Sequence, residues 1–90
     1  MNKYFAWNEE KNVLLCKKYN FGFERIVIEL SEGGLLDDRR HPNTERYGHQ
    51  RQLIVNIENY IYVVPYVINE NEVFLKTFFP SHKATKKYLI

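Results

Sequence analysis

The chain has a single cysteine, and no acidic residue follows Glu72. Cys16 has no partner for an internal disulfide. Set inside an apolar helical pattern, it reads as a small buried hydrophobe of a reducing compartment. "MNKYFAWNEEKN" contains no apolar run suited to a signal peptide, and no stretch is long enough to span a bilayer. A cytoplasmic protein with no membrane partner is expected. Glycine is scarce, and Gly33-Gly34 follows a helical pattern rather than a strand, so no phosphate-binding loop is present. Three scattered histidines and one cysteine lack the spacing of metal ligands; no metal and no other cofactor is expected. A paired-carboxylate hydrolase would have to use Asp37 and Asp38, whose adjacent side chains project in different directions.

What remains is a core-forming chain with local charge. Its 90 residues make one domain, 1–90, and at 44% hydrophobic and 16% aromatic they can fill a core. The formal net charge is only +2, but its distribution is uneven. "DDRRHPNTERYGHQR" (Asp37 to Arg51) holds four arginines and two histidines against three acids. "FFPSHKATKKYLI" closes the chain with His82, Lys83, Lys86 and Lys87 and no counter-charge. Local excess of one sign is what a polyanion responds to at short range.

The periodicity is legible over most of the chain. Tyr4 to Trp7 reads as a short strand. Asn8 then caps a helix with Glu9 and Glu10 in its first turn and Lys17 and Lys18 in its last, the charge order that the helix dipole favours. Val13, Leu14 and the Leu15/Tyr19 pair supply its buried side, and Asn20 and Gly22 end it. Phe23, Ile26, Val27 and Leu30 recur at i, i+3, i+4 and i+7, predicting a second helix that stops at Gly33-Gly34. Leu35 to His49 shows no sustained period and contains Pro42 and Gly48, so a long loop is expected, and such loops are more often functional than idle.

The period then changes to two. Leu53, Val55 and Ile57 alternate with Gln52, Ile54 and Asn56. Glu58-Asn59 turns the chain into a second, almost wholly apolar strand, Tyr60 to Ile68, in which Pro65 requires an edge position or a bulge. Val73 to Phe79 forms a third strand, and Ser81 caps a terminal helix, Lys83 to Leu89. The expected fold is α+β: two N-terminal helices packed on one face of an antiparallel sheet of three or four strands, with a short C-terminal helix. Trp7, Phe23, Ile26, Leu30, Val55, Tyr62, Leu75 and Phe78 are the expected core.

Lys83, Lys86 and Lys87 share one face of the terminal helix. Lysine in a first turn opposes the helix dipole, so helix stability does not explain Lys83. In the central segment His41 and His49 carry imidazoles, which can take or give a proton in general acid–base catalysis. Arg46 and Arg51 carry the fork that holds a phosphate, and Tyr47 has a ring for stacking on an unpaired base. Lys76 adds a cation on the last strand. Blander roles fit each residue: a solubilising tail, His41 capping the turn before Pro42, Tyr47 covering the core, Arg39 and Arg40 pairing with Asp37 and Asp38. RNA cleavage needs no more than such groups: a base for the 2′-OH, positive charge for the phosphorane and an acid for the leaving oxygen. Composition permits a ribonuclease, an RNA binder or a basic surface, and does not choose among them.

"FAWNEEKN" resembles the N-terminal F-x-W-D-x-x-K-N signature of BrnT-like toxins of bacterial type II toxin–antitoxin modules. "FGFERI" is similar to the start of their second helix, and "FLKTFFPSHKATKKYL" to their closing strand and basic helix. The resemblance runs over nearly the whole chain. It implies a RelE-like α+β fold, a metal-independent endoribonuclease that arrests translation, and neutralisation by an adjacently encoded ribbon-helix-helix antitoxin. Asn8 stands where the family usually has Asp, and His82 where it usually has Arg; in "GHQRQ" Arg51 or Gln50 takes the place of an arginine that opens the sheet, a loose match. On this basis His82, His41, His49 and Arg51 are the candidate catalytic residues. Arg46, Tyr47, Lys76, Lys83, Lys86 and Lys87 are the candidate RNA-binding residues, with Arg51 and Lys83 expected in one cleft. The alternative is a non-catalytic protein-interaction module or an inactive toxin homologue.

Overall fold

A computed structural model describes residues 4–90. Strand β1 (Tyr4–Ala6) leads into helix α1 (Glu9–Tyr19), whose N-cap Asn8 accepts a hydrogen bond from the Lys11 amide at 2.9 Å. Its C-cap, Asn20, is left-handed at φ 67°, a conformation asparagine tolerates. Helix α2 (Phe23–Ser31) begins after Gly22. The helices meet through Asn12 on α1: its Oδ1 accepts the Phe23 amide at 2.8 Å and its Nδ2 donates to both Glu24 oxygens at 3.1 Å. One buried side chain thereby satisfies an amide at the start of α2 that has no partner within its own helix. This approach requires glycine at 22, where a Cβ would overlap Asn12 Oδ1 and come within 2.6 Å of the Cys16 sulfur.

Two expectations for α1 do not hold. Val13 and Leu14 are exposed, and the buried positions are Asn12 and Leu15, because the helix turns its polar link toward α2. Cys16 is partly exposed rather than buried.

The expected loop is the larger departure. Leu35–Arg40 forms strand β2, antiparallel to β3 (Arg51–Ile57), and Thr44–Tyr47 forms a single helical turn, α3. A bulge between Leu35 and Asp37 breaks the alternation of "LLDDRR", and its remaining side chains are charged, so a hydrophobic period could not reveal the strand.

Strand β3 turns at Glu58 (φ 51°) and Asn59 (φ 65°) into β4 (Tyr60–Asn69); two left-handed residues match the twist of a tight hairpin. Strand β4 pairs with β5 (Glu72–Leu75) and, further back, with the two-residue β6 (Phe79–Pro80). The strand expected over Val73 to Phe79 is thus broken after Leu75. Pro65 lies inside the sheet without a bulge, not at an edge. Its carbonyl accepts the Lys76 amide at 2.8 Å, and the N–H it lacks would point into the break between β5 and β6. Strand β1 runs parallel to β5, so the sheet is mixed and, among the described residues, has six strands, in the order β1-β5-β4-β3-β2 with β6 on β4.

Apolar groups fill both faces. Leu53, Val55, Val64 and Leu75 pack against Phe23, Ile26 and Phe78 on the face under α1 and α2, with Trp7, Leu30 and Tyr62 at the margin. The eight residues expected in the core all lie in or against this cluster. On the opposite face Ile54, Ile61 and Val63 meet Ala84, Tyr88 and Leu89 of helix α4 (His82–Leu89). Helices therefore cover both faces of the sheet, α1 and α2 on one and α4 on the other, as the apolar breadth of β4 suggests. Ser81 caps α4 by accepting the Ala84 amide at 3.0 Å. Buried Thr85 fixes the helix to the sheet: its Oγ1 accepts the Ile61 amide at 2.9 Å and donates to the Ser81 carbonyl at 2.8 Å.

Candidate nucleic-acid interface

Strand alternation decides which basic residues can act together. On β2, Asp37 and Arg39 lie opposite Ile54 and Gln52, on the face covered by α4. Asp38 lies opposite Leu53, on the face under α1 and α2. Lys83 and Lys87 of α4 reach the first face. Arg39, Pro42, Ser81, Lys83, Ala84 and Lys87 line a cleft of about 310 Å³ whose charged lining groups are all cations. Arg39 Nε donates to Gln52 Oε1 at 3.0 Å, which orients the guanidinium beside the Tyr88 hydroxyl. Beside the cleft, the Tyr88 hydroxyl donates to Asp37 Oδ2 at 2.6 Å and the Asp38 amide to Asp37 Oδ1 at 2.8 Å. These bonds, that of Tyr88 foremost, hold the Asp37 carboxyl below its ordinary range. The same bond, reinforced by burial, raises the Tyr88 phenol.

Arg51 does not join this cleft. It faces the other side of the sheet, where its Nε donates to Asp38 Oδ1 at 3.0 Å and a terminal nitrogen donates to the Asp38 carbonyl at 2.8 Å. The bond to Asp38 raises its pKa. The Tyr66 hydroxyl donates to both Asp38 oxygens, at 2.9 and 2.8 Å. Burial first, and then the Asp38 bond, push Tyr66 up to about 12. The expected pairing of Arg51 with Lys83 is corrected by this geometry: alternation puts the two on opposite faces, and Asp38 occupies the guanidinium.

The other predicted residues fall into separate places. His41 Nδ1 accepts the Asn43 amide at 3.1 Å, and its ring lies 4.4 Å from that of Tyr47, over which Arg46 sits at 5.4 Å. Tyr47 is thus already stacked by its own neighbours rather than open to a base. A neutral His41 that accepts at Nδ1 carries its proton on Nε2, so it presents a donor and not a base. His49, His82 and Lys86 are exposed. Among the described residues no histidine lines the cleft, although His41 precedes Pro42 and His82 lies between Ser81 and Lys83. Lys76 is remote, in a depression with Lys11 and Phe74. The structure therefore unites Lys83 and Lys87 and adds Arg39, a residue for which the sequence suggests only the blander role of pairing with the neighbouring acids. Reading "LLDDRR" as a strand would have found it.

A second concavity, of about 410 Å³, lies on the opposite face of the sheet, where Phe5, Leu30, Leu35, Ile68 and Val73 form an apolar groove ending at Asp38 and Tyr66. Leu35 and Ile68 are 42% and 48% exposed there, enough to offer contact area to another molecule. Among the described residues no group of three or more His, Cys, Asp or Glu side chains could hold a metal ion, and no helix is long and apolar enough to cross a membrane. Compared with protein-family models, with curated proteins and with solved structures, the chain has no match.

Proposed function

We propose that this protein is a BrnT-like toxin of a type II toxin–antitoxin module, a cytoplasmic, metal-independent endoribonuclease that arrests translation and is neutralised by a ribbon-helix-helix antitoxin. One observation carries the reading: Lys83 and Lys87 of the closing helix converge with Arg39 on a single cationic cleft. Fixed cations in a cleft concentrate a phosphate backbone, and most of the affinity for nucleic acid comes from such contacts. In this reading Arg39, Lys83 and Lys87 hold the scissile phosphate and stabilise its phosphorane charge. His82, exposed beside Lys83, takes the proton of the 2′-OH and, as the imidazolium so formed, returns it to the leaving 5′ oxygen, while His41 offers its Nε2–H to a non-bridging phosphate oxygen.

A second reading, a non-catalytic protein-interaction module, is favoured by the apolar groove on the other face. The two are separated by inducing the chain in cells with and without its neighbouring short reading frame, and by measuring binding and cleavage of single-stranded RNA. The toxin reading expects growth arrest that the neighbour relieves. Reversing Lys83 and Lys87 to Glu abolishes cleavage and flattens the slope of log affinity against log salt by about 1.4, two contacts at about 0.7 each. Unimpaired growth together with unchanged RNA affinity would refute it.

A further inference from the structure

A carboxylate stands next to the cationic cleft. Asp37 precedes Arg39 by two residues on the same face of β2. Its Oδ2 accepts the hydroxyl of Tyr88, and the Lys87 ammonium lies 5.5 Å from the centroid of that tyrosine ring. A free carboxylate in this position would swing onto Arg39 or Lys87 and close the site with an internal ion pair. Among the described residues no ion pair joins Asp37 to a cation; the pairs present are Arg25 with Glu29 and Glu58, and Arg51 with Asp38. Both Asp37 oxygens are instead engaged, one by Tyr88 and one by the Asp38 amide.

We infer that Tyr88 is a positioning residue of the cleft: it restrains Asp37 as a fixed counter-charge, which keeps Arg39 and Lys87 open for a phosphate while tempering their attraction for it. The inference rests on the reading of the cleft as a phosphate site. The lowered Asp37 carboxyl fits it, since Arg39 and Lys87 both act on that group after its hydrogen bonds.

Two substitutions on one hydrogen bond then have opposite effects. Asp37→Asn keeps an acceptor for Tyr88 but removes the charge, so affinity for an anion rises. Tyr88→Phe keeps the ring against Ile54 and Ile61 but frees the carboxylate to pair with the cations, so affinity falls. Each change is roughly two- to fivefold, the worth of an exposed ion pair. In the double variant the Tyr88→Phe loss disappears, because no carboxylate is left to release. A tyrosine that merely props up α4 would give the same loss in both backgrounds.

The measurement is binding of a single-stranded RNA oligonucleotide, and separately of inorganic pyrophosphate, to the full chain at low salt, with thermal melts of each variant. Opposite signs for the single variants and no further loss in the double support the inference. Unchanged affinity in Asp37→Asn, or a loss that persists in the double variant, overturns it. If Tyr88→Phe does not fold, the rise in Asp37→Asn alone decides. Signs that hold for pyrophosphate while RNA does not bind keep the inference and sink the RNA reading. RNA binding that depends on Lys83 and Lys87 but ignores Asp37 does the reverse, and a cleft that binds neither probe removes both.

Discussion

Thr85→Val tests how the basic helix is held in place. The two side chains are nearly the same shape, so packing against β4 is kept and only the hydroxyl is lost. That hydroxyl makes two bonds, but they are not equivalent. The Ser81 carbonyl still receives the Thr85 amide at 3.0 Å, so it stays partnered. The Ile61 amide has Thr85 Oγ1 as its partner at a buried position, and valine leaves it with none. Stranding a buried donor costs about 1–3 kcal/mol. At about 2 kcal/mol, a domain of this size melts roughly 8–16 °C lower. Thr85→Ser keeps the hydroxyl and loses one methyl, worth about 0.8 kcal/mol. Serine is thus expected to cost less than valine although valine is the closer isostere. Thermal melts of the three proteins give the ranking, and hydrogen exchange at the Ile61 amide shows where the loss lies. Because α4 carries Lys83 and Lys87 of the cleft, anion affinity should fall in Thr85→Val at temperatures where the rest of the domain is folded. A valine variant no less stable than the serine one, with Ile61 still protected, would refute this account of how α4 docks.

Two further expectations concern the core and the second polar cluster. Gly22→Ala forces a Cβ against Asn12 and Cys16 and should cost about 1–3 kcal/mol, read by urea unfolding; a wild-type midpoint would mean that α1 and α2 do not approach as described. Tyr66 has its folded-state value raised from 10.0 to about 12, so the stability it contributes is complete below pH 10 and is lost as pH rises toward 12. Tyr66→Phe should therefore remove part of the alkaline decline in melting temperature, and an unchanged decline would show that burial and Asp38 do not together hold this phenol protonated.

The elements with local signals were readable from the sequence, and the others were not. Asn8 and Ser81 act as the caps their positions require, because capping depends on residues only three apart. The Phe23, Ile26 and Leu30 stripe lies in or against the core, since period alone determines which side of a helix is apolar. Glu58-Asn59 turns the chain where the alternating pattern pauses. Strand β2 escaped because its bulge and its charges erase the period, and its place beside β3 is set by pairing with residues 11 to 20 positions away. Without that strand Arg39 had no face, and Arg51 was matched to Lys83 across a sheet that in fact separates them. Local pattern was enough for the fold class, for the core under α1 and α2 and for the cationic character of the closing helix. Only the tertiary structure decided which cations share a cleft, because a side chain's face in a strand depends on register, and register is a property of the partner strand as much as of the strand itself.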